Sequence, residues 1–405
     1  MKKSMTYKST GISKYSVYYL LMIIVFIIQL LFNSRCYALN GVVSNQVKEL
    51  NYIYKSGEEG YQCFRIPAIV TTANGTVLAF CEGRKNNCAD AGDIDLVLKR
   101  SEDGGKTWSK LQVVWDDGEN TCGNPAPVIE RKSGAIILLS SWNLGTDHER
   151  DIIAQKSKDT RRIFKLSSTD DGRTWTTAEE ITKNVKKENW TWYATGPGSA
   201  IQIQKGKYKG RLVVPCNHIE AVTKGNRSHA IYSDDRGKTW NLGGITPQDS
   251  VNESTIAEYA GGKLMLNMRN AGKARNRQVA ISKDGGNTWS DIYPDTTLIE
   301  PVCQGNLIQY KTGRKMLLAF SNPASKTARV AMTARISYDG GKTWPLKKLI
   351  YEGPSAYSNL TVLHNGNLAC FYEAGYSKPY EGIVFEEIPM KDFTTNKENI
   401  HTYNE

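Results

Sequence analysis

Three arginines occur where a positive charge would be costly to bury without an anion beside it. Arg65 interrupts the apolar segment F-R-I-P-A-I-V, and Arg269 and Arg329 recur in similar settings further along the chain. Moving a guanidinium group out of water is unfavourable unless an opposite charge meets it. A single arginine of this kind is usually explained by surface exposure or by a structural acid. Three of them favour a site for an anionic ligand.

Carboxylates and a tyrosine that could perform acid–base or nucleophilic chemistry are spread along the same chain. Asp90 begins the acid-rich loop D-A-G-D-I-D, Glu253 follows an asparagine, and Tyr357 precedes a serine. The loop lacks the spacing of an EF-hand, and the sequence has no HExxH, G-x-S-x-G or P-loop motif. These absences argue against zinc peptidases, serine hydrolases and NTPases. A structural role is the simpler interpretation of Tyr357 or Glu253 taken alone.

An eight-residue pattern, S-x-D-x-G-x-T-W, indicates the elements that must position these groups. Its aspartate and hydroxyl side chains can bond to nearby backbone N–H groups, and its glycine can adopt the positive φ of a tight turn. Its tryptophan offers an apolar ring to pack against neighbouring strands. Each copy therefore predicts a hairpin turn. The five copies are Ser101–Trp108, Ser168–Trp175, Ser233–Trp240, Ser282–Trp289 and Ser337–Trp344.

The spacing of these turns predicts an all-β protein, a six-bladed β-propeller with antiparallel four-stranded blades. Successive copies begin 49 to 67 residues apart, which suits one blade with extended loops. Residues 51–390 hold about six such intervals. We therefore expect this range to form the propeller, with one blade that has lost its turn motif. A propeller would bring loops from different blades to one axial face, where the charged residues could meet.

The two ends of the chain differ from this middle region. Four lysines precede an apolar run, and a short C-Y-A segment follows it. We predict that residues 1–38 are a secretory signal peptide, with an uncleaved membrane anchor as the alternative. Residues 39–50 are expected to be a linker and residues 391–405 a polar C-terminal tail. The chain would then enter the secretory pathway and be secreted or periplasmic, with lysosomal or membrane-anchored placement also open.

Charge and cysteine content set further limits. The formal net charge is +11, but lysines and arginines form no dense block, so nucleic acid is not indicated as a partner. The eight cysteines contain no CxxC pair and suggest neither a zinc ribbon nor a disulfide framework. Cys63, Cys81, Cys88 and Cys122 are close enough in sequence for one or two disulfides, and their spacing does not choose a pairing. We predict no cofactor, no metal and a monomer.

Taken together, the motifs resemble those of exo-α-sialidases (neuraminidases) of the bacterial and animal type. The resemblance rests on F-R-I-P at residues 64–67, the five turns known in this family as Asp boxes, the Asn252-Glu253 pair, the two later arginines and the Tyr357-Ser358 pair. It extends from residue 51 to about residue 387. It implies a sialidase-like propeller and a substrate that carries sialic acid.

The resemblance implies substrate-binding roles for five residues. Arg65, Arg269 and Arg329 correspond to an arginine triad that binds the sialic acid carboxylate. Forked guanidinium groups suit this task because they form charge-assisted bonds with both carboxylate oxygens. Arg84 corresponds to an accessory arginine at the 4-position of the sugar. Asn124 stands where many relatives have an aspartate, so the polar contacts there are expected to differ.

The resemblance also implies the catalytic groups. Asp90 corresponds to the general acid/base, Tyr357 to the nucleophile and Glu253 to the carboxylate that activates it. A tyrosine suits this reaction because the anomeric carbon of sialic acid carries its own carboxylate, which would repel an anionic nucleophile. Asp90 would protonate the leaving oxygen and then activate water, with retention. Trp192 is a candidate platform near the N-acetyl or glycerol arm, although aromatic loops equally often pack a blade edge.

These roles predict a retaining exo-α-sialidase that hydrolyses terminal α-linked sialic acid from glycoproteins, glycolipids or oligosaccharides through a tyrosyl-enzyme intermediate. Sialylated glycans would be its partners. The alternatives are a sialic-acid-binding propeller without turnover and a trans-sialidase. A lectin would need only the arginines. Trans-sialidases of this kind usually carry a second, lectin-like domain, for which we expect no room here, and release of anhydro-sialic acid is a further variant.

Overall fold

The computed structural model describes residues 48–312 and 315–395. At the N-terminus it also describes residues 5, 15, 18, 19 and 21–29, all of which except residue 5 are helical. The predicted signal peptide, linker and tail therefore lie wholly or partly outside the described residues. Within the described part of the chain, no helix is long and apolar enough to cross a membrane.

The strands form four-stranded antiparallel units in chain order, with one strand out of order. The first strand, β1 (Tyr52–Lys55), belongs to the last unit. The first blade consists of β2 (Cys63–Thr71), β3 (Val77–Arg84), β4 (Ile94–Ser101) and β5 (Gln112–Trp115). The second consists of β6 (Thr121–Ile129), β7 (Ile136–Asn143), β8 (Arg162–Ser168) and β9 (Glu179–Glu180).

The third blade carries one short additional strand, and the fourth is regular. The third consists of β10 (Trp190–Thr195), β11 (Ile201–Gln202), β12 (Leu212–Glu220), β13 (Asn226–Ser233) and β14 (Asn241–Ile245). In it, β10 and β11 both pair with β12. The fourth consists of β15 (Val251–Glu258), β16 (Leu264–Asn270), β17 (Asn276–Ser282) and β18 (Tyr293–Ile299).

A single long strand, β22 (Leu346–Val362), joins the last two blades. Its first part pairs with β21 and its second part with β23. The fifth blade consists of β19 (Asn306–Thr312), β20 (Lys315–Pro323), β21 (Val330–Ser337) and the start of β22. The sixth consists of the end of β22, β23 (Leu368–Ala374), β24 (Gly382–Ile388) and β1. The remaining elements are α1 (Glu149–Ile153), α2 (Thr182–Val185), 3-10 turns at Ala260–Gly262 and Met390–Asp392, and β25 (Thr394–Thr395), which pairs with the start of β22.

The buried apolar side chains lie between consecutive blades and close a ring. In the described residues, six large clusters each combine residues from two neighbouring blades, and one of them joins the sixth blade to the first. One strand of every blade lines a common axial cavity of about 400 Å³. This arrangement confirms the predicted all-β propeller. Burial between sheets therefore holds the disc together, and blade-end loops gather at its axial faces.

The five Asp boxes form the turn between the third and fourth strands of the first five blades. In each copy the threonine hydroxyl donates to the aspartate at 2.6–2.7 Å. The N–H of the glycine at the fifth position of the motif donates to the serine hydroxyl at 2.7–2.9 Å. In the first box this glycine, Gly105, has a φ of +97°, and an added Cβ would lie 2.2 Å from Phe385 of the sixth blade. The turn therefore requires glycine for both backbone conformation and packing.

The sixth blade explains why the turn motif occurs only five times. Its third strand is β24, close to the C-terminal end of the described residues, and its fourth strand is β1. These two strands come from opposite ends of the chain, so no turn connects them. One of the six blades therefore lacks the motif, as predicted, and the reason is that this blade has no turn at the corresponding place. Pairing of β1 with β24 closes the ring instead.

Candidate active site

All eight residues predicted to form the site line one cavity of about 430 Å³ at an axial face. They reach it from every blade except the third. The first blade supplies Arg65, Arg84 and Asp90, the second Asn124, the fourth Glu253 and Arg269, the fifth Arg329 and the sixth Tyr357. Residues up to 292 positions apart in sequence thus share one cavity.

Tyr357 and Glu253 form a hydrogen-bonded pair at the base of the cavity. The Tyr357 hydroxyl donates to Glu253 Oε1 at 2.5 Å, and Arg269 donates to Glu253 Oε2 at 2.5 Å and to the tyrosine oxygen at 3.0 Å. Burial, reinforced by the Glu253 charge, raises the pKa of Tyr357 well above its usual value. The tyrosine is therefore neutral in the free protein, with a carboxylate positioned to accept its proton.

The three predicted triad arginines surround Tyr357. Arg269 bonds to its hydroxyl, while the guanidinium carbons of Arg65 and Arg329 lie 5.1 and 5.6 Å from its ring centroid. Arg329 also donates to the Tyr380 hydroxyl at 2.6 Å and to the Val302 carbonyl at 3.2 Å. Although burial disfavours its charge, interactions with Cys303, Tyr357 and Tyr380 raise the pKa of Arg329. Three permanent cations thus converge on one side of the cavity.

Glu373, on β23, is a functional residue that the sequence reasoning missed. Its carboxylate is fully buried and accepts bonds from Arg65 Nε at 3.0 Å and Nη2 at 3.3 Å. It also accepts the backbone N–H of Ile66 at 2.9 Å and that of Tyr357 at 3.1 Å. Ile66 has a φ of +62°, which is unusual for a β-branched residue, at a break in the β2–β3 register. Glu373 therefore holds the Arg65 side chain next to the backbone of Tyr357. An acid within the apolar segment C-F-Y-E-A was the available signal.

Asp90 lies in the loop between β3 and β4, with its carboxylate beside two arginines. Its Oδ1 accepts from Arg84 Nη1 at 2.8 Å and from Arg65 Nη1 at 3.3 Å. Burial opposes ionisation, but the charges of Arg84 and Arg65 lower the pKa of Asp90. Arg84 is itself buried and also donates to Glu82 on its own strand at 2.6 and 3.0 Å.

The structure also resolves the cysteine pairing that the sequence left open. Cys63 is disulfide-bonded to Cys88, while Cys81 and Cys122 are buried free thiols. Cys63 lies two residues before Arg65, and Cys88 lies two residues before Asp90. The bond therefore links the strand of one site residue to the loop of another.

The second and third blades form the opposite wall, where Arg161 is a second residue missed from sequence. Arg161 is buried and donates to the side-chain oxygens of Asn124 and Asn143, and its guanidinium stacks over Trp192 at 4.1 Å. Burial lowers the pKa of Arg161 to about 10, so it remains charged at neutral pH. Neighbouring Trp190 stacks on His218 inside the blade instead. The aromatic segment thus packs the blade through Trp190 and lines the cavity through Trp192, whose role as a sugar platform stays a prediction.

The cavity chemistry suits an anionic ligand with polar substituents. Buried side-chain oxygens of Asn217, Asn226 and Asn252 line it without a protein hydrogen-bond partner, and so offer acceptors to hydroxyl or N–H donors. Within the described residues, no group of three or more His, Cys, Asp or Glu is arranged to hold a metal ion. The carboxylate and phenol groups on the cavity wall are those of Glu82, Asp90, Glu149, Glu253, Tyr357 and Tyr380.

Comparison with known proteins identifies the family to which this chain is similar. The sequence profile of the BNR repeat-like domain matches residues 75–370. A sialidase from Bacteroides fragilis is 32% identical over 358 residues, covering 83% of this chain and 64% of that protein. An exo-alpha-sialidase from Arthroderma benhamiae is 34% identical over 344 residues, covering 78% of this chain and 79% of that protein.

A solved structure supports the same assignment. The Hadza microbial sialidase Hz136 superimposes with a TM-score of 0.77 at 31% identity, covering 85% of this chain and 69% of that one. The chain spans less than two thirds of the Bacteroides relative, 64% of its length. The propeller, the Asp boxes and the identity over most of the chain together show that this protein belongs to the sialidase family.

Proposed function

We propose that the protein is a retaining exo-α-sialidase that hydrolyses terminal α-linked sialic acid from glycoproteins, glycolipids or oligosaccharides. The observation that carries the proposal is the Tyr357–Glu253 hydrogen bond of 2.5 Å within the three converging arginines. The arginines supply charge for a carboxylate, and the tyrosine–carboxylate pair supplies a nucleophile beside it. A protein that only bound sialic acid would need the first feature and not the second.

The tyrosine attacks when its proton can move to Glu253. The pKa of Tyr357 is raised in the free protein, so the phenol does not ionise beforehand. Its proton leaves only as its oxygen forms the bond to the anomeric carbon. Arg269 contacts both the phenol oxygen and Glu253, so its charge stabilises whichever oxygen carries the negative charge during transfer. The product of this step is an aryl glycoside in which the Tyr357 oxygen is bonded to the anomeric carbon, and the arginines still bind the carboxylate of the sugar.

Asp90 serves as the acid and then as the base. In the free cavity the positive charges of Arg84 and Arg65 keep the pKa of Asp90 low. A substrate carboxylate that binds Arg65 would neutralise part of this charge and raise the pKa of Asp90 toward the range where it can donate. After the leaving group departs, the same carboxylate would take a proton from the attacking water. Two displacements at one carbon give retention.

We also propose that the protein acts outside the cytosol, on sialylated glycans. The Cys63–Cys88 disulfide supports this location because such bonds persist in oxidising compartments. The unpartnered amide oxygens of Asn217, Asn226 and Asn252 suit a sugar rich in hydroxyl groups.

The test is turnover of a fluorogenic aryl sialoside by purified protein that lacks residues 1–38, beside Tyr357→Phe and Asp90→Ala. We expect turnover by the parent and a loss of at least about 10²-fold in kcat for each variant, because Tyr357→Phe removes the nucleophile and Asp90→Ala removes the base that activates water in the second step, which an aryl leaving group does not bypass. NMR of the first-formed sugar anomer tests retention. A folded parent that binds sialic acid without turnover would support the lectin alternative, and transfer to added lactose would support trans-sialidase activity.

A further inference from the structure

The loop that carries Asp90 has no apolar anchor. This acidic loop, residues 85–93, connects β3 to β4, and its residues 86–90 are exposed. None of its residues belongs to the buried clusters between the blades. A loop of this kind opens easily unless polar or covalent contacts hold it. Its base is closed by a bond from the Lys85 N–H to the Asp93 carbonyl at 3.1 Å.

Two contacts fix the middle of the acidic loop, and both meet at Arg84. Cys88 is disulfide-bonded to Cys63, which is the cross-strand neighbour of Arg84. From there Arg84 Nη1 donates to the carbonyls of Cys88 at 2.6 Å and Ala89 at 2.9 Å, and to Asp90 at 2.8 Å. The covalent bond therefore brings the loop backbone to Arg84, which makes the shorter of the two guanidinium contacts to Asp90, the other being from Arg65.

We propose that the Cys63–Cys88 disulfide is a positioning element for Asp90, and that efficient acid catalysis requires its oxidised form. This inference rests on the proposed sialidase function. Cys63 is fully buried, whereas Cys88 is exposed at the cavity rim and accessible to a small reductant. A dithiol or phosphine would reduce the bond to two cysteine thiols and be oxidised in turn. The loop would then keep only hydrogen bonds for which water competes.

The dependence of the hydrolysis rate on the leaving group distinguishes a displaced general acid from a general loss of active-site structure. A galactose hydroxyl departs only if it is protonated, whereas a phenol such as 4-methylumbelliferone departs readily without help. A displaced Asp90 should therefore slow hydrolysis of sialyllactose far more than hydrolysis of the aryl sialoside. General acid catalysis contributes about 10²–10⁴-fold, which sets the size of the expected difference.

The experiment compares the parent with the double variant Cys63→Ala/Cys88→Ala on both substrates. We expect kcat/KM for sialyllactose to fall by about 10²-fold or more, and that for the aryl sialoside by less than about tenfold. Cys81→Ala, which removes a buried free thiol from β3, is the matched control and should keep the parent ratio. Equal losses on both substrates, or no loss, would overturn the proposal.

Two further measurements keep the test decisive. If the double variant does not fold, the folded parent is reduced with a phosphine instead, and mass spectrometry checks that two new thiols have formed. Reoxidation should then restore kcat/KM for sialyllactose. Trypsin cleavage after Lys85 should be faster once the bond is lost, and unchanged cleavage would count against the proposal. Because cleavage does not depend on turnover, an inactive parent would defeat the sialidase proposal alone.

Discussion

At the scale of single residues, Glu373 shows how one buried charge organises the site. It is the one carboxylate that contacts both the Arg65 guanidinium and the Tyr357 backbone in the described site. Under the proposed function, a substrate carboxylate would bind Arg65 at Nη1, which donates to Asp90 at 3.3 Å in the free protein, while Glu373 holds Nε and Nη2. The orientation of the Arg65 guanidinium group therefore depends on Glu373, which does not itself line the cavity.

Replacing Glu373 with glutamine tests this role. The variant keeps the shape of the side chain but leaves buried Arg65 without its close counter-charge, so we expect the free energy of unfolding to fall by about 3 kcal/mol. Urea denaturation followed by tryptophan fluorescence measures the change. The matched control is Glu58→Gln, which removes an exposed pair with Lys55 and should cost less than about 1 kcal/mol. Similar losses in both variants would contradict the argument.

At the scale of elements, the Asp boxes are self-contained turns whose stability depends on an ionised aspartate. In the third box, burial of Asp235 disfavours its charge, but bonds from Thr239 and Ser233 lower its pKa to about 2. The folded-state pKa is therefore below the unfolded value of 3.8. It follows that this contribution to stability is complete above pH 3.8 and is lost as the pH falls toward 2.

The Asp235→Asn variant should show this pH dependence directly. At pH 7 we expect it to unfold about 1–2 kcal/mol more easily than the parent, because amide oxygens accept these bonds less strongly than a carboxylate. The difference should narrow below pH 3.8, where Asp235 becomes protonated in the unfolded parent while it stays ionised in the folded parent until the pH approaches 2. Urea titrations at pH 7, 4 and 3 measure it. Asp171→Asn, at a variable box position, should change stability by less than about 0.5 kcal/mol, and a pH-independent Asp235 effect would refute the assignment.

At the scale of the whole molecule, the N-terminal strand closes the ring. Tyr54 on β1 is fully buried, packs on Phe64 of the first blade and Phe371 of the sixth, and donates its hydroxyl to the Ala79 carbonyl at 2.8 Å. This one side chain therefore links the two blades that the chain order leaves apart. A ring that opened here would expose the cluster shared by both blades.

Tyr54→Ala should accordingly weaken the entire fold. Loss of a buried aromatic ring typically costs about 3–5 kcal/mol, and we expect the cost to appear in a single cooperative transition because the junction completes the ring. Thermal unfolding by circular dichroism, paired with urea denaturation, measures both size and cooperativity. Tyr338→Ala, at a residue that is 49% exposed, should be nearly neutral. A separate early transition confined to the sixth blade would show that the closure is local.

Much of the fold was predictable from sequence because its signals are local. An Asp box is completed by hydrogen bonds within eight residues, so its serine, aspartate, glycine and threonine specify a turn wherever the segment lies. The spacing between the repeated boxes then predicted the number of blades. The site residues were predictable as types, since arginines and acids in apolar strands are costly without partners.

The tertiary structure alone decided which partners meet. Glu373 pairs with Arg65 across 308 positions, Cys63 bonds to Cys88 and not to Cys81, which is nearer in sequence, and β1 pairs with β24 from the other end of the chain. None of these pairings has a periodicity or turn chemistry that marks it in the sequence. They depend on which surfaces the closed ring brings together, because distances between remote residues are fixed by packing of whole blades rather than by local backbone preference.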